Sequence, residues 1–166
     1  MHEAMPPCGL YRTSGAIGAV EGGRLVYFHN HGDPGPGVYL PSHWQSNRAH
    51  FSTQGITLPT AEDARLLVPL LPEGFYAVRE AFHCCDKQCQ RFPERLLVQL
   101  GYQASAQALL FVPTLRPDGL HLPARGTAVD EGCLAALEPV TVPIEIPAAQ
   151  GAPPHVEPPH GATTLH

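Results

Sequence analysis

The chain has 166 residues, of which 43% are hydrophobic and only 15% charged, and it contains 19 prolines and 16 glycines. This length suffices for one domain with an apolar core, and the proline and glycine content disfavours long helices. The net charge of −5, with ten scattered Lys and Arg residues, argues against nucleic-acid binding, and no apolar run is long enough to cross a membrane.

The first half of the chain predicts a β-hairpin followed by a short helix. Residues 24–31 are rich in β-branched and aromatic side chains, and a dense Gly/Pro turn separates them from a second apolar segment at 38–40. Further short strands are expected at 49–53 and 55–58. Thr60 is expected to cap a helix over residues 61–68, because acidic residues follow it in the first turn.

The second half predicts more strands and one further helix. A predicted strand over residues 75–82 leads into a cysteine-rich segment. A second hairpin is predicted from two apolar segments, residues 95–102 and 107–112, although Pro93-Glu94 is equally compatible with the start of a helix. A short helix is expected over 131–137 behind Asp130, and an edge strand over 140–146, which contains Pro143. No internal repeat is evident.

These elements predict a mainly β fold, a small single-domain barrel or sandwich with two short helices, over residues 6–146. Residues 147–166 contain two Pro-Pro pairs and little to bury, which predicts a disordered tail. The N-terminal residues have neither a basic nor an apolar leader pattern, so a soluble, cytoplasmic protein is expected.

The most concentrated chemistry lies in the sequence His83-Cys84-Cys85-Asp86-Lys87-Gln88-Cys89. Cys85 and Cys89 are four residues apart, so one helical turn would bring both thiols to one side, and thiolates with an imidazole are typical zinc ligands. Cys84 is expected to face away from Cys85, because adjacent side chains of an extended chain point in opposite directions. Candidates for a fourth ligand are Cys8, Cys133 or a distant histidine.

Two other interpretations of the cysteines stay open. Free cysteines are often small buried apolar side chains. Alternatively, Cys84 with Cys85, or Cys85 with Cys89, can react as a redox pair, with Lys87 and Arg91 near enough in sequence to lower a thiol pKa. Five cysteines, an odd number with three inside six positions, do not suit a secreted disulfide framework.

A second group of candidate ligands is His29-Asn30-His31, whose two imidazoles lie on one face of the predicted strand. Gly23, five residues and then His29-Asn30-His31 resemble the opening of the first cupin motif. That resemblance implies a metal-dependent enzyme in which a glutamate and a later histidine complete the site. Here the glutamate positions hold Gly35 and Pro36, and the nearest acid is Asp33.

An aromatic segment and the absence of two catalytic motifs bear on which functions suit the chain. Residues 27–51 are rich in aromatic and imidazole side chains, including Trp44, which suits a binding surface or a wall of the core. Phosphate-binding glycine loops and the Gly-x-Ser-x-Gly elbow are absent from the sequence.

We therefore expect a non-enzymatic binding or structural component, a β-scaffold that presents loops to a protein partner. A structural zinc site is expected at Cys84, Cys85, Cys89 and His83. The alternative is a cupin-like metal-dependent enzyme that uses His29 and His31.

Overall fold

The computed structural model describes residues 4–141, which form short β-strands and two 3-10 helices. The predicted mainly β character and both short helices are confirmed. Two five-stranded antiparallel sheets dominate the fold, and within the described residues neither of them closes into a barrel.

The first half of the chain forms one of these sheets and a separate hairpin. Its strands are β1 (Gly9–Thr13), β2 (Leu25–His29), β3 (Gly37–Tyr39), β4 (Pro41–Gln45), β5 (Arg48–Phe51), β6 (Ile56–Thr57) and β7 (Leu67–Pro69). The sheet has the order β6-β3-β2-β1-β7, so the predicted hairpin is confirmed as the β2–β3 pair. Strands β4 and β5 pair with each other between β3 and β6.

The second half repeats this arrangement. Its strands are β8 (Gly74–Val78), β9 (Phe82–His83), β10 (Arg91–Phe92), β11 (Leu97–Tyr102), β12 (Ala108–Phe111), β13 (Thr114–Arg116), β14 (Gly119–His121), β15 (Thr127–Ala128) and β16 (Leu137–Pro139). The sheet order is β15-β12-β11-β8-β16, and the predicted second hairpin is the β11–β12 pair. A hairpin, β13–β14, again lies between the third and fourth strands of the sheet.

A 3-10 helix precedes the last strand of each sheet. The first spans Ala61–Leu66 and the second Glu131–Ala136. Thr60 caps the first helix as predicted, and the Asp63 carboxylate accepts hydrogen bonds from both the backbone N–H and the hydroxyl of Thr60, each at 2.9 Å. The Asp63 N–H in turn donates to Thr60 O at 3.2 Å, so hydrogen bonds in both directions fix the start of the helix.

The two sheets are copies of each other in strand order and in register, so the chain contains a tandem repeat. We call residues 7–69 repeat 1 and residues 72–139 repeat 2. Tyr11 in β1 lies opposite Pro69 in β7, and Tyr76 in β8 lies opposite Pro139 in β16. The sequence-based expectation of no repeat is wrong, because the backbone pairing recurs while most side chains differ.

A short sequence motif accompanies the first strand of each repeat. The two copies read Pro7-Cys8-Gly9-Leu10-Tyr11 and Pro72-Glu73-Gly74-Phe75-Tyr76. In each copy the tyrosine hydroxyl donates a hydrogen bond of 2.7 Å to the carbonyl oxygen of the proline four residues earlier. The same side-chain contact therefore fixes the entry to both sheets.

A glycine is required at the same place in both repeats, just before β6 and β15. A Cβ atom at Gly55 would lie 2.6 Å from the ring of Tyr39, and one at Gly126 would lie 2.9 Å from the ring of Phe111. Tyr39 and Phe111 occupy equivalent positions in β3 and β12. Each aromatic ring therefore lies against backbone that has no room for a side chain.

The buried apolar side chains form two clusters, and one of them contains residues of both repeats. One cluster lies within repeat 1, and the other fills repeat 2 but also includes Leu25 from β2, which is fully buried there. The backbone N–H of Leu25 donates to Ala104 O at 2.9 Å, and Arg12 forms an ion pair of 2.7 Å with Glu131. Repeat 1 thus contributes directly to the core of repeat 2.

The β4–β5 hairpin of repeat 1 packs across the sheet of repeat 2. Its turn approaches β11, where the side-chain amide of Asn47 donates to Gln99 Oε1 at 3.1 Å and to Pro123 O at 3.0 Å. The indole N–H of Trp44 donates to Tyr102 O at 2.8 Å. Gln99 is only 2% exposed, so these polar contacts lie under the hairpin.

The C-terminal predictions are only partly covered. The last strand within residues 4–141 is β16, which ends at Pro139, and Val140 and Thr141 are not in a strand. The rest of the strand predicted over 140–146 and the tail predicted over 147–166 lie outside the described residues, and so do residues 1–3. No helix within residues 4–141 is both long and apolar enough to span a bilayer.

Candidate functional site

The predicted cysteine cluster lies in a tight loop, residues 84–90, between β9 and β10, which we call the cysteine loop. Cys84 N donates to Gln90 O at 2.9 Å, and Gln90 N donates back to the Cys84 sulfur at 3.3 Å. A further turn is closed by Gln88 N donating to Cys85 O at 2.9 Å, with Gln88 in the left-handed region (φ 55°). Backbone hydrogen bonds therefore fix the directions of the thiols.

Three thiols converge in this loop, and we call them the thiol cluster: Cys84, Cys85 and Cys89. Their sulfur atoms all lie within 4.8 Å of one another, and the Cys84 and Cys85 sulfurs are 3.5 Å apart. The expectation that Cys84 faces away from Cys85 is wrong, because the chain bends at these residues and is not extended. The predicted pair of Cys85 and Cys89 is brought together.

The three thiols of the cluster differ in exposure, and Cys85 and Cys89 also differ in acidity. Cys84 is buried, Cys85 is partly buried and Cys89 is exposed. A hydrogen bond from Cys84, followed by the backbone N–H groups of Lys87 and Cys89, lowers the pKa of the Cys85 thiol. The hydrogen bond with Cys85 and its negative charge raise the pKa of Cys89. Cys85 therefore ionises before Cys89, and thiolate is the form that binds metals or attacks disulfides.

The second 3-10 helix lies against the cysteine loop. Its cap residue Asp130 donates its N–H to Cys84 O at 2.9 Å, and the Cys133 thiol donates to His83 O at 3.3 Å. Burial raises the pKa of Cys133, and the nearby charges of Asp130, Cys84 and Cys85 act in the same direction. Cys133 is thus a fourth thiol beside the cluster, held by a carbonyl oxygen.

His83 is the predicted ligand that does not join the thiol cluster. Its position in β9 pairs it with Arg91 in β10, outside the cysteine loop. The loop is instead supported by the stacked rings of Phe82 and Phe92, whose centroids are 5.1 Å apart.

The second predicted pair, His29 and His31, is completed by a residue that the sequence did not associate with it. Cys8 Sγ lies 3.4 Å from His29 Nδ1 and 3.5 Å from His31 Nδ1. The centroids of the two imidazole rings, His29 and His31, are 4.1 Å apart. We call Cys8, His29 and His31 the thiol–imidazole cluster. Cys8 and His29 are partly buried, and His31 is exposed.

Asn30 holds the thiol–imidazole cluster from the backbone side. Its N–H donates to Cys8 Sγ at 3.3 Å, and its side-chain amide donates to Pro6 O at 3.1 Å. Its Oδ1 lies 2.6 Å from His31 Nδ1. The third side chain near the two imidazoles is thus a thiol, in contrast to the glutamate of the cupin motif.

Searches against protein-family models, curated proteins and solved structures find no match.

The aromatic segment 27–51 contributes an exposed groove of about 540 Å³. Trp44 lines it and is 43% exposed, and Leu109 and Phe111 of repeat 2 line its other wall. The rings of His43 and His50 stack on the same hairpin with centroids 4.8 Å apart. The segment therefore divides between two environments, because Phe28 and Val38 are fully buried in the core of repeat 1 while Trp44 lines the groove between the repeats.

Proposed function

We propose that the protein is a non-enzymatic scaffold of two β repeats in which the thiol cluster holds a structural zinc ion. The observation that carries this proposal is the convergence of three sulfur atoms within 4.8 Å in one hydrogen-bonded loop. Zinc–sulfur bonds of about 2.3 Å separate two sulfurs of a tetrahedral site by about 3.8 Å. The 3.5 Å between the Cys84 and Cys85 sulfurs is close to that separation.

The chemistry of the thiol cluster supports the same proposal. The lowered pKa of Cys85 favours the thiolate that zinc requires, and bound zinc would ionise the remaining thiols. Cys133 on the second 3-10 helix is the proposed fourth ligand; its sulfur lies outside the group of three and donates to His83 O, so it would have to rotate toward the loop to bind the ion. Such an ion would tie the cysteine loop to that helix.

Elemental analysis of the purified full chain tests this proposal. We expect the zinc content to fall by about one equivalent in a Cys85→Ser, Cys89→Ser double variant. An ion present at about 100 times its Kd stabilises a protein by about 2.7 kcal/mol, so chelation should lower the thermal midpoint of the wild type by more than that of the variant. His43→Ala, His50→Ala is the matched control, because it removes two potential ligands outside both clusters. A variant that retains the wild-type zinc content, or a metal-free protein with a chelator-insensitive midpoint, would contradict the proposal.

We propose that a second copy of this chain is the protein partner of the scaffold. Leu115 and Leu120 lie opposite each other in the β13–β14 hairpin and are 80% and 48% exposed. The equivalent hairpin, β4–β5, packs against a repeat of this same fold. A repeat from another copy is therefore the cover that this kind of hairpin fits.

Sedimentation velocity over a range of protein concentrations tests the partner proposal. We expect concentration-dependent association of the wild type that is lost in Leu115→Asp, Leu120→Asp. Phe75→Ser is the matched control, because it removes an exposed apolar side chain (39% exposed) from β8. A wild type that stays monomeric at 100 µM and above, or association that survives the Asp substitutions, would overturn this proposal. Nucleic acid and membranes are not proposed as partners.

A cytoplasmic location forms part of the proposal, because all five cysteines are free thiols, the form that a reducing compartment maintains. The cupin-like enzyme has less support. Its two candidate histidines, His29 and His31, are accompanied by a thiol and not by the expected glutamate.

A further inference from the structure

We propose that Cys8, His29 and His31 form a second, independent metal site that binds one divalent ion of the zinc class and leaves one coordination position open to solvent. This site goes beyond the structural zinc proposed for the thiol cluster. It lies in repeat 1 where β1 begins and β2 ends, and it shares no residue with the cysteine loop.

The separations between the donor atoms fit a tetrahedral ion. Zinc bonds of about 2.3 Å to sulfur and about 2.0 Å to nitrogen place a sulfur and a nitrogen ligand about 3.5 Å apart. Cys8 Sγ lies 3.4 Å from His29 Nδ1 and 3.5 Å from His31 Nδ1. The three donor atoms are all within 4.8 Å of one another, so one ion can reach all three.

Comparison with repeat 2 shows that the fold itself does not require these ligands. By strand register, the positions equivalent to Cys8 and His29 hold Glu73 and Gly101. Glu73 Oε1 accepts the N–H of Tyr102 at 3.3 Å, just as Cys8 Sγ accepts the N–H of the equivalent Asn30 at 3.3 Å.

The shared structural requirement is therefore one acceptor for one backbone N–H. The Glu73 carboxylate of repeat 2 meets this requirement and also accepts the N–H of Ala49 from the neighbouring hairpin. Repeat 1 meets the requirement with a thiol and adds two imidazoles around it. Repeat 1 therefore carries a set of metal ligands at a position where the fold requires only a hydrogen-bond acceptor.

The number of donors and the exposure of the cluster define its coordination. Three protein ligands leave one position of a tetrahedral ion free, as in zinc sites that bind an exchangeable ligand. His31 is exposed while Cys8 and His29 are partly buried, so the free position faces solvent. Thiolate and imidazole donors together favour zinc, cobalt or copper over magnesium or calcium.

Cobalt titration of chelator-treated full-length protein, followed by absorption spectroscopy, tests the second site. Thiolate-bound Co²⁺ gives a sulfur-to-metal charge-transfer band, and Zn²⁺ displaces it. In a Cys84→Ser, Cys85→Ser, Cys89→Ser variant we expect one Co²⁺ equivalent with the intensity of a single thiolate. Adding Cys8→Ser should abolish this band, and added imidazole should shift the visible bands of the single-site protein by filling the open position.

The same cobalt titration on the wild type and on variants with fewer substitutions does not depend on folding of the triple variant. Two Co²⁺ equivalents should fall to one in Cys8→Ser and also to one in His29→Ala, His31→Ala, while the matched pair His43→Ala, His50→Ala keeps two. Cobalt binding that is unchanged by Cys8→Ser overturns the second site. If the wild type binds one Co²⁺ that depends on Cys8, and none that depends on Cys85 and Cys89, the structural zinc is overturned while the second site stands. The two failures are therefore distinguishable. Unchanged visible bands with imidazole would refute the open position.

Discussion

The turn of the β4–β5 hairpin approaches β11 so closely that the position of Gly101 admits no side chain. A Cβ atom there would lie 2.5 Å from Asn47 O and 3.3 Å from the ring of Phe111. A backbone oxygen cannot rotate aside as the tip of a flexible side chain can. We therefore expect Gly101→Ala to displace the hairpin from repeat 2.

The cost of this displacement follows from the contacts that the hairpin makes with repeat 2. They comprise the hydrogen bonds Trp44 Nε1 to Tyr102 O, Asn47 Nδ2 to Gln99 Oε1, Asn47 Nδ2 to Pro123 O and Gln99 Nε2 to Ser46 O. Each contributes about 0.5–1.5 kcal/mol, and exposure of Gln99 to water relieves part of the loss. We expect the free energy of unfolding to fall by about 2–4 kcal/mol.

Urea unfolding monitored by tryptophan fluorescence measures both consequences, because Trp44 is the single tryptophan of the chain. The native emission maximum should shift to the red as the indole leaves the groove. Gly132→Ala is the control, since a Cβ atom at Gly132 has no other atom within 4 Å, and a compatible Gly→Ala change alters stability by about 1 kcal/mol or less. A Gly101→Ala protein with wild-type stability and an unshifted emission maximum would refute the reasoning.

Three further predictions concern single side chains. Tyr11→Phe and Tyr76→Phe each remove the same hydroxyl-to-proline hydrogen bond, so each should lower the free energy of urea unfolding by about 1 kcal/mol, and a loss confined to one repeat would contradict their equivalence. Burial raises the pKa of Glu73 above its ordinary 4.5, so the folded state binds more protons than the unfolded chain. Wild-type stability should therefore fall as pH rises from about 4.5 through the raised pKa, and Glu73→Gln should flatten this slope in thermal midpoints measured from pH 4 to 8. In metal-free protein Cys85 should react with iodoacetamide at lower pH than Cys89, as followed by peptide mass spectrometry, and the reverse order would contradict the assigned acidities.

Local patterns in the sequence were sufficient for the β2–β3 and β11–β12 hairpins and for the short helices. The β2–β3 and β11–β12 pairs are adjacent in the chain and are bounded by turn residues, so their formation depends on nearby sequence. The start of the first helix was equally local, because Thr60 and Asp63 are three residues apart. Elements of this kind are readable without knowledge of the tertiary fold.

The repeat and the thiol–imidazole cluster depend on long-range register, which local patterns do not encode. Cys8 reaches His29 only because β1 pairs with β2 in the register that places Gly9 opposite Phe28. Likewise, the repeat is defined by equivalent strand pairings, while many side chains at equivalent positions, such as His29 and Gly101, share no chemistry.

The thiol cluster was found from spacing, but its geometry was misjudged. The argument that adjacent side chains point in opposite directions holds for an extended strand, and the chain at Cys84 and Cys85 is bent. The bend is set by contacts at both ends of the loop, from Gln90 and from Asp130. Asp130 lies far along the chain, so this contact was not readable from the cluster itself.

The burial of Leu25 in the core of repeat 2 bears on how the chain acquires its fold during synthesis. Repeat 1 leaves the ribosome first, yet Leu25 and the β4–β5 hairpin have no surface to cover until the strands of repeat 2 have been made. The nascent first half therefore exposes apolar surface for the time needed to add about seventy residues, a few seconds to about 15 s at typical bacterial and eukaryotic elongation rates. A chain terminated after β7 would keep that surface exposed, so premature termination should yield a fragment that aggregates or is degraded.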